Sequence, residues 1–254
     1  MKRILIMGGT SDANNIAKKL KELGNLFLIT TTTTDFGGDI AKKYADVVIS
    51  KPLDKDALKN VILNYSVDLL IDATHPFAVI ASKNAVEVAK ELNINYIRYE
   101  RPSEIFKHEK IVYVKDFEEA AKKALEISNK KVFHMAGIKN LKTVVDIVGK
   151  DRVIARILPI SINKALELLP PQNIVAMQGV FSKELNKYLI LDYNCDVIIT
   201  KESGDSGGFK EKILGALEAD ATPIVIKRPK IDYPVVFNDI DSLIGHIQNL
   251  DKNY

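Results

Sequence analysis

Short runs rich in isoleucine and valine alternate with amphipathic stretches from one end of this 254-residue chain to the other. Parallel strands need a crossover connection between them, so the alternation confines the chain to an α/β architecture. Residues 3–7, 26–30, 46–49, 68–72 and 95–98 read as strands, nearly continuous in apolar character, as strands covered on both faces should be. Between them 12–23, 54–65 and 76–92 have helical spacing; Ile16, Leu20 and Leu23, for instance, share one face. A second series repeats the pattern, with strands at 131–135, 152–155, 173–177, 196–200 and 223–226 and helices at 141–148, 162–169, 182–191 and 209–219. The segments 111–114 and 117–128 bridge the two series. The expectation is an α/β protein of two Rossmann-like parallel-sheet lobes, residues 1–128 and 129–238, with a closing helix over 239–254.

Length and charge remove whole classes of function. A chain of this size buries roughly 70–75% of the surface its unfolded form exposes and needs no staple. The single cysteine, Cys195, leaves no intramolecular disulfide and no cysteine cage for zinc or an iron–sulfur cluster. The apolar run 3–7 is too short for a signal sequence, and no stretch approaches the ~18 apolar residues of a spanning helix. The 36 lysines and arginines stand against 33 acids and are spread along the chain, so no nucleic-acid stripe forms. A soluble, cytoplasmic protein with no membrane or nucleic-acid partner is expected. Only six basic residues are arginine, namely Arg3, Arg98, Arg101, Arg152, Arg156 and Arg228, and these are few enough to read singly.

In open parallel sheets ligands bind beyond the carboxyl ends of the strands, and four such ends carry chemistry. Gly8-Gly9-Thr10-Ser11-Asp12 follows the first strand and opens a helix, a geometry that suits a phosphate, although Ser11 or Asp12 could equally be a plain N-cap. The second strand ends in Thr30-Thr31-Thr32-Thr33-Thr34, without the acidic residue that binds an unphosphorylated ribose, which favours NADP over NAD. Asp72-Ala73-Thr74-His75-Pro76 places a histidine, the side chain best suited to proton exchange near neutrality, on the ligand edge; Pro76 is expected at the first helical position, and Asp72 or Thr74 as a cap. Arg98-Tyr99-Glu100-Arg101 is either an internal salt-bridge cluster or an anion-recognition pair. Thr200-Lys201-Glu202-Ser203-Gly204-Asp205-Ser206-Gly207-Gly208 follows another strand and opens another helix, without the Gly-Lys-Ser/Thr of a P-loop.

Other chemistries lack carriers. There is no H-E-x-x-H, no Cys/His cluster with zinc spacing and no G-x-S-x-G elbow, so a metal site is not expected. A short-chain type oxidoreductase would need a Tyr-x-x-x-Lys pair, and Tyr65, Tyr99 and Tyr188 are followed at that spacing by Leu69, Ser103 and Asp192. A non-catalytic nucleotide-sensing module is the remaining alternative.

The ordered set of Ile4-Leu5-Ile6-Met7-Gly8-Gly9-Thr10, Asp72-Ala73-Thr74-His75-Pro76-Phe77-Ala78, Arg98-Tyr99-Glu100-Arg101-Pro102, Gln178-Gly179-Val180-Phe181-Ser182, Thr200-Lys201-Glu202-Ser203-Gly204 and Lys227-Arg228-Pro229 resembles the precorrin-6A reductase family, including its cobalt-precorrin form. Val180 departs from the proline more usual in that segment. The resemblance implies NADPH-dependent reduction of one double bond of a ring-contracted tetrapyrrole in cobalamin biosynthesis, with cofactor and macrocycle in a central cleft between two lobes. It implies NADPH on Gly8, Gly9, Thr10, Ser11, Thr31, Thr32, Thr200, Lys201, Ser203, Gly204, Gly207 and Gly208. It places the anionic tetrapyrrole on Thr74, Arg98, Arg101, Lys227 and Arg228, with His75 as the catalytic residue that orients substrate or relays a proton.

Overall fold

The computed structural model describes residues 1–33, 35–102, 105–204 and 207–250. The first part of the chain runs β1 (Lys2–Met7), α1 (Ser11–Leu23), β2 (Leu26–Thr32), α2 (Asp35–Ala41), β3 (Val47–Ser50), α3 (Lys55–Asn64), β4 (Leu69–Asp72), α4 (Val79–Leu92) and β5 (Asn95–Tyr99). The second runs β6 (Val112–Val114), α5 (Phe117–Ile127), β7 (Lys131–His134), α6 (Leu141–Val148), β8 (Val153–Ile157), α7 (Ile162–Leu166), β9 (Ile174–Ala176), α8 (Lys183–Asp192), β10 (Cys195–Lys201), α9 (Phe209–Glu218) and β11 (Thr222–Ile226). Strand β12 (Val236–Phe237) and helix α10 (Ile240–Leu250) follow.

The strands form two all-parallel six-stranded sheets, ordered β12-β5-β4-β1-β2-β3 and β6-β11-β10-β7-β8-β9. The first order is that of a doubly wound dinucleotide-binding fold, and the second shares it over five strands with its outer strand, β6, supplied from before them in the chain, as the alternation of apolar runs leads one to expect. Central strands are apolar on both faces: Ile4, Leu5 and Ile6 of β1 and Val197, Ile198 and Ile199 of β10 are fully buried beneath helices on either side.

The chain divides into two compact units, Met1–Pro102 with Pro229–Tyr254, and Ser103–Arg228. The division at residue 128 expected from sequence is therefore displaced. Strand β6, read as a bridge, pairs with β11 in the second sheet, and α5 packs on β10 and β11. The sixth position of the first sheet is taken by β12, from beyond the second series, paired with β5. Helix α10 then packs on α1, burying Leu243 and Ile247 in the first unit's core. Each of these edge strands is two or three residues long, too short to carry a periodic signal, and parallel pairing is non-local.

Candidate functional site

The first sheet changes winding direction between β1 and β4, which are neighbours although β2 follows β1 in the chain. Ligands of open sheets bind at such a switch point. The turn leaving β1 approaches β2 closely. Gly8 N–H donates to Thr31 O at 2.8 Å, and a Cβ on Gly8 would stand 3.0 Å from that oxygen and 3.1 Å from Thr30 Cγ2, so a side chain has no room. Thr10, not Ser11 or Asp12, caps α1: its Oγ1 accepts Ala13 N–H at 3.1 Å and donates to Ala73 O at 2.8 Å. The hydroxyl thereby ties the glycine turn to the end of β4. Ser11 is exposed on the first turn of α1, whose unpaired N–H groups favour an anion.

Thr31 and Thr32 are buried, and Thr32 Oγ1 lies 3.5 Å from Ser50 Oγ; the exposed hydroxyl at this strand end is Thr33. Thr34 lies outside the described residues.

At the end of β4 the carboxylate of Asp72 is fully buried. Its Oδ1 accepts the Thr74 N–H at 3.0 Å, the Thr74 hydroxyl at 2.7 Å and Arg98 Nη1 at 2.8 Å, and its Oδ2 accepts the Tyr96 hydroxyl at 3.1 Å. Neither Asp72 nor Thr74 caps a helix. Pro76 lies in a turn closed by Ala78 N–H to His75 O at 2.8 Å, and α4 starts only at Val79. His75 is half-exposed on this turn, its Nδ1 accepting the Phe77 N–H at 3.2 Å and its ring 5.8 Å from that of Phe77.

Arg98 does not present its charge to a ligand. It is fully buried, paired with Asp72 and, through Nε at 3.4 Å, with Glu100. The register of β5 beside β4 sets Arg98 against Asp72, the salt-bridge alternative that the sequence left open. Arg101 is largely buried and pairs through Nη2 with Asp12 Oδ2 in the first turn of α1, beside the glycine turn.

The second sheet has its switch point between β7 and β10. Here the chain gathers cations from three elements. Lys201 ends β10, and burial together with Lys139 lowers its pKa. Arg156, on β8, is buried; its Nη1 donates to Asn186 Oδ1 at 2.7 Å, its guanidinium carbon lies 5.3 Å from the Phe181 ring centre, and burial pulls its pKa down to about 10. Lys212, on α9, donates through Nζ to Gly207 O at 2.7 Å. Burial, with Arg156 and Lys201 close by, lowers Lys212 to about 7. Sequence reading gave neither residue a role, although Lys212 closes the segment that runs on from Thr200 through Gly208 and Arg156 is one of the six arginines, because what brings them together is tertiary packing.

Of the other residues expected here, Gly204, Gly207 and Gly208 form the turn into α9, with Gly208 as its N-cap at φ 61°. A Cβ on Gly207 would lie 2.2 Å from Ser203 Oγ, and Ser203 is itself buried. Thr200 is wholly buried, and its hydroxyl has no hydrogen-bond partner among the described residues. Arg228 is bound to Glu202, its backbone N–H reaching Oε2 at 3.2 Å and its Nε the Glu202 carbonyl at 3.0 Å, and the guanidinium pairs with the carboxylate through Nε to Oε1 at 3.7 Å. Lys227 is exposed, 6.0 Å from the centre of the Tyr113 ring. Asp205 and Ser206 lie outside the described residues. Beside the cations stands an apolar rim: Leu158 and Ile160 beyond β8 and Val180 beyond β9 are 51%, 85% and 58% exposed. Side chains so apolar and so exposed at a ligand edge suit a large hydrophobic ligand.

A family model described as precorrin-6x reductase CbiJ/CobK matches residues 3–248. A cobalt-precorrin-6A reductase of Methanocaldococcus jannaschii is 66% identical over 247 residues, 97% of this chain and 98% of that protein. One from Methanococcus maripaludis is 57% identical over 97% of this chain and 99% of its own length, and one from Priestia megaterium 35% identical over 97% and 98%. Among solved structures, CobK precorrin-6A reductase superposes with a TM-score of 0.78 at 21% identity, covering 98% of this chain and 97% of that one, a likeness of fold.

Proposed function

The chain belongs to the precorrin-6x reductase family, and from that premise we propose that it reduces one double bond of cobalt-precorrin-6A or precorrin-6A with NADPH. The observation that carries the reading is the division of labour between the two switch points. The first offers a side-chain-free turn and a capped helix start, with hydroxyls and no acid among Thr30 to Thr34 where β2 ends, which suits a dinucleotide with a phosphorylated ribose. The second offers three cations beneath an apolar rim, which suits a flat macrocycle with carboxylates at its periphery.

In this reading Gly8, Gly9, Thr10 and Ser11 hold the pyrophosphate, and Thr33 faces the ribose. The sequence placed both glycine turns on the cofactor. Here the second turn, Lys201 to Gly208, serves the substrate together with Arg156, Lys212 and Lys227, because a single pyrophosphate fills one crevice. NADPH supplies the hydride, so the protein's work is binding, orientation and exclusion of water. Thr74, fixed by Asp72, orients what lies at the end of β4, and His75 holds the proton that accompanies the hydride. The setting is the cytoplasm, where the lone buried Cys195, its thiol pushed up to about 12 by burial, stays reduced.

The test is an anaerobic assay with cobalt-precorrin-6A that follows the nicotinamide absorbance band. Loss of the band should require the tetrapyrrole and be faster with NADPH than with NADH at equal concentration. Equal rates with the two cofactors would remove the phosphorylated-ribose reading, and no loss of the band would leave a nucleotide-sensing protein.

A further inference from the structure

Asp72 raises a problem for the cofactor site. Its carboxylate lies at the end of β4, in register with Met7 at the end of β1, and so beside the crevice that would take a pyrophosphate. A buried carboxylate there repels a second anion in surroundings of low dielectric. The chain sets one guanidinium against it, which also meets Glu100 through Nε at 3.4 Å. Arg98 donates through Nη1 to Asp72 Oδ1 at 2.8 Å and to Thr74 Oγ1 at 3.2 Å. Tyr96 donates to the other carboxylate oxygen, and the guanidinium carbon of Arg98 lies 5.2 Å from the ring centre of Tyr233. Arg98 Nη2 is buried without a hydrogen-bond partner among the described residues. A guanidinium left partly unsatisfied is costly to the fold, and a well-packed apolar side chain would spare that cost.

We propose that Arg98 is a positioning residue for the cofactor: it acts through Asp72, cancelling that charge and fixing the 72–75 turn so that the β1–β4 crevice accepts an anion. Thr10 completes the connection, since its hydroxyl holds the glycine turn to Ala73 O, the residue next to Asp72. Burial alone would lower the pKa of Arg98, yet Asp72, Tyr233, Glu100 and Tyr96 together raise it, so the compensating charge is permanent. The inference rests on the reading that the Gly8–Ser11 turn holds NADPH.

The test measures NADPH affinity by calorimetry on the full-length chain, as the wild type and as Arg98→Met, Asp72→Asn and the double variant. Arg98→Met should weaken NADPH at least about tenfold, because Asp72 is then uncompensated. Asp72→Asn alone, which keeps shape and leaves the arginine's charge, should tighten NADPH. The double variant should recover most of the loss, and the tightening in Asp72→Asn alone is the result that a purely structural role for Arg98 would not produce. If Arg98→Met fails to fold, Asp72→Asn and Arg98→Lys decide: tightening in the first and near-wild-type affinity in the second support the role. No tightening in Asp72→Asn, or a double variant as weak as Arg98→Met, overturns it. Ser11→Glu, which puts a negative charge on the glycine turn, separates the two readings. If it leaves NADPH affinity unchanged, the cofactor is elsewhere; if it weakens NADPH while Asp72→Asn and Arg98→Met both leave the affinity as in the wild type, only this inference fails.

Discussion

Gly8→Val should weaken NADPH binding by at least about thirtyfold and leave tetrapyrrole binding as it was. The valine Cβ would begin 3.0 Å from Thr31 O, and its methyl groups would meet Thr30 Cγ2 and Ala13 Cβ, 3.1 and 3.4 Å from that same Cβ. The turn must then move away from β2 or the side chain must fill the space a pyrophosphate would take. Overpacking of this kind costs ~1–3 kcal/mol before any ligand contact is lost, and each ~1.4 kcal/mol is tenfold in affinity. Gly8→Ala, with the Cβ alone, should lose less. Calorimetric titration with NADPH, with the melting temperature as a control for folding, checks the order. Equal NADPH affinity in all three proteins would show that this turn does not hold the cofactor.

Lys212→Met should raise KM for the tetrapyrrole by about 10- to 100-fold and raise the melting temperature at the same time. Both effects have one cause. Without ligand the Lys212 ammonium stands near Arg156 and Lys201, offset in part by Glu211, with a single carbonyl, Gly207 O, as its hydrogen-bond acceptor among the described residues. Burying like charges together destabilises the fold and is tolerable only where an anion will neutralise them. A hydrogen bond to a charged partner contributes ~1.5–3 kcal/mol, which sets the expected loss in KM. The pH dependence has a definite sign. Lys212 falls to about 7 from 10.5, so between those values the unfolded chain binds more protons than the native one. Stability from this group therefore increases as pH rises from about 7 to about 10.5. The charge that attracts a carboxylate disappears over the same rise, so kcat/KM for the tetrapyrrole falls above about pH 7. Both slopes should flatten in Lys212→Met. A melting temperature that falls on substitution, or an unaltered KM, would take Lys212 out of the substrate site.

The sequence was most informative where function and backbone geometry coincide. The first glycine turn, the histidine after β4 and the turn into α9 could be named because each interrupts an apolar run at a strand end. For Arg98 and Arg101 the sequence left a salt-bridge cluster and an anion-recognition pair both open, for a physical reason. A guanidinium next to a strand end looks the same in sequence whether it points to solvent or lies along the sheet, and only the β4–β5 pairing puts Arg98 onto Asp72. The cations of the second sheet come from β8, β10 and α9 and meet through tertiary packing that no local pattern encodes. The unit boundary was hidden in the same way, since β6 and β12 take their places by long-range pairing rather than by neighbourhood in the chain.

The central claim is that the hydride of NADPH passes to a ring-contracted tetrapyrrole on this chain. Its most direct test is a single turnover with NADPH deuterated at the transferring position, followed by mass spectrometry of the extracted macrocycle. The account predicts a reduced tetrapyrrole that carries one deuterium, accompanied by stoichiometric NADP. Unchanged macrocycle, or reduced macrocycle without the label, would contradict it.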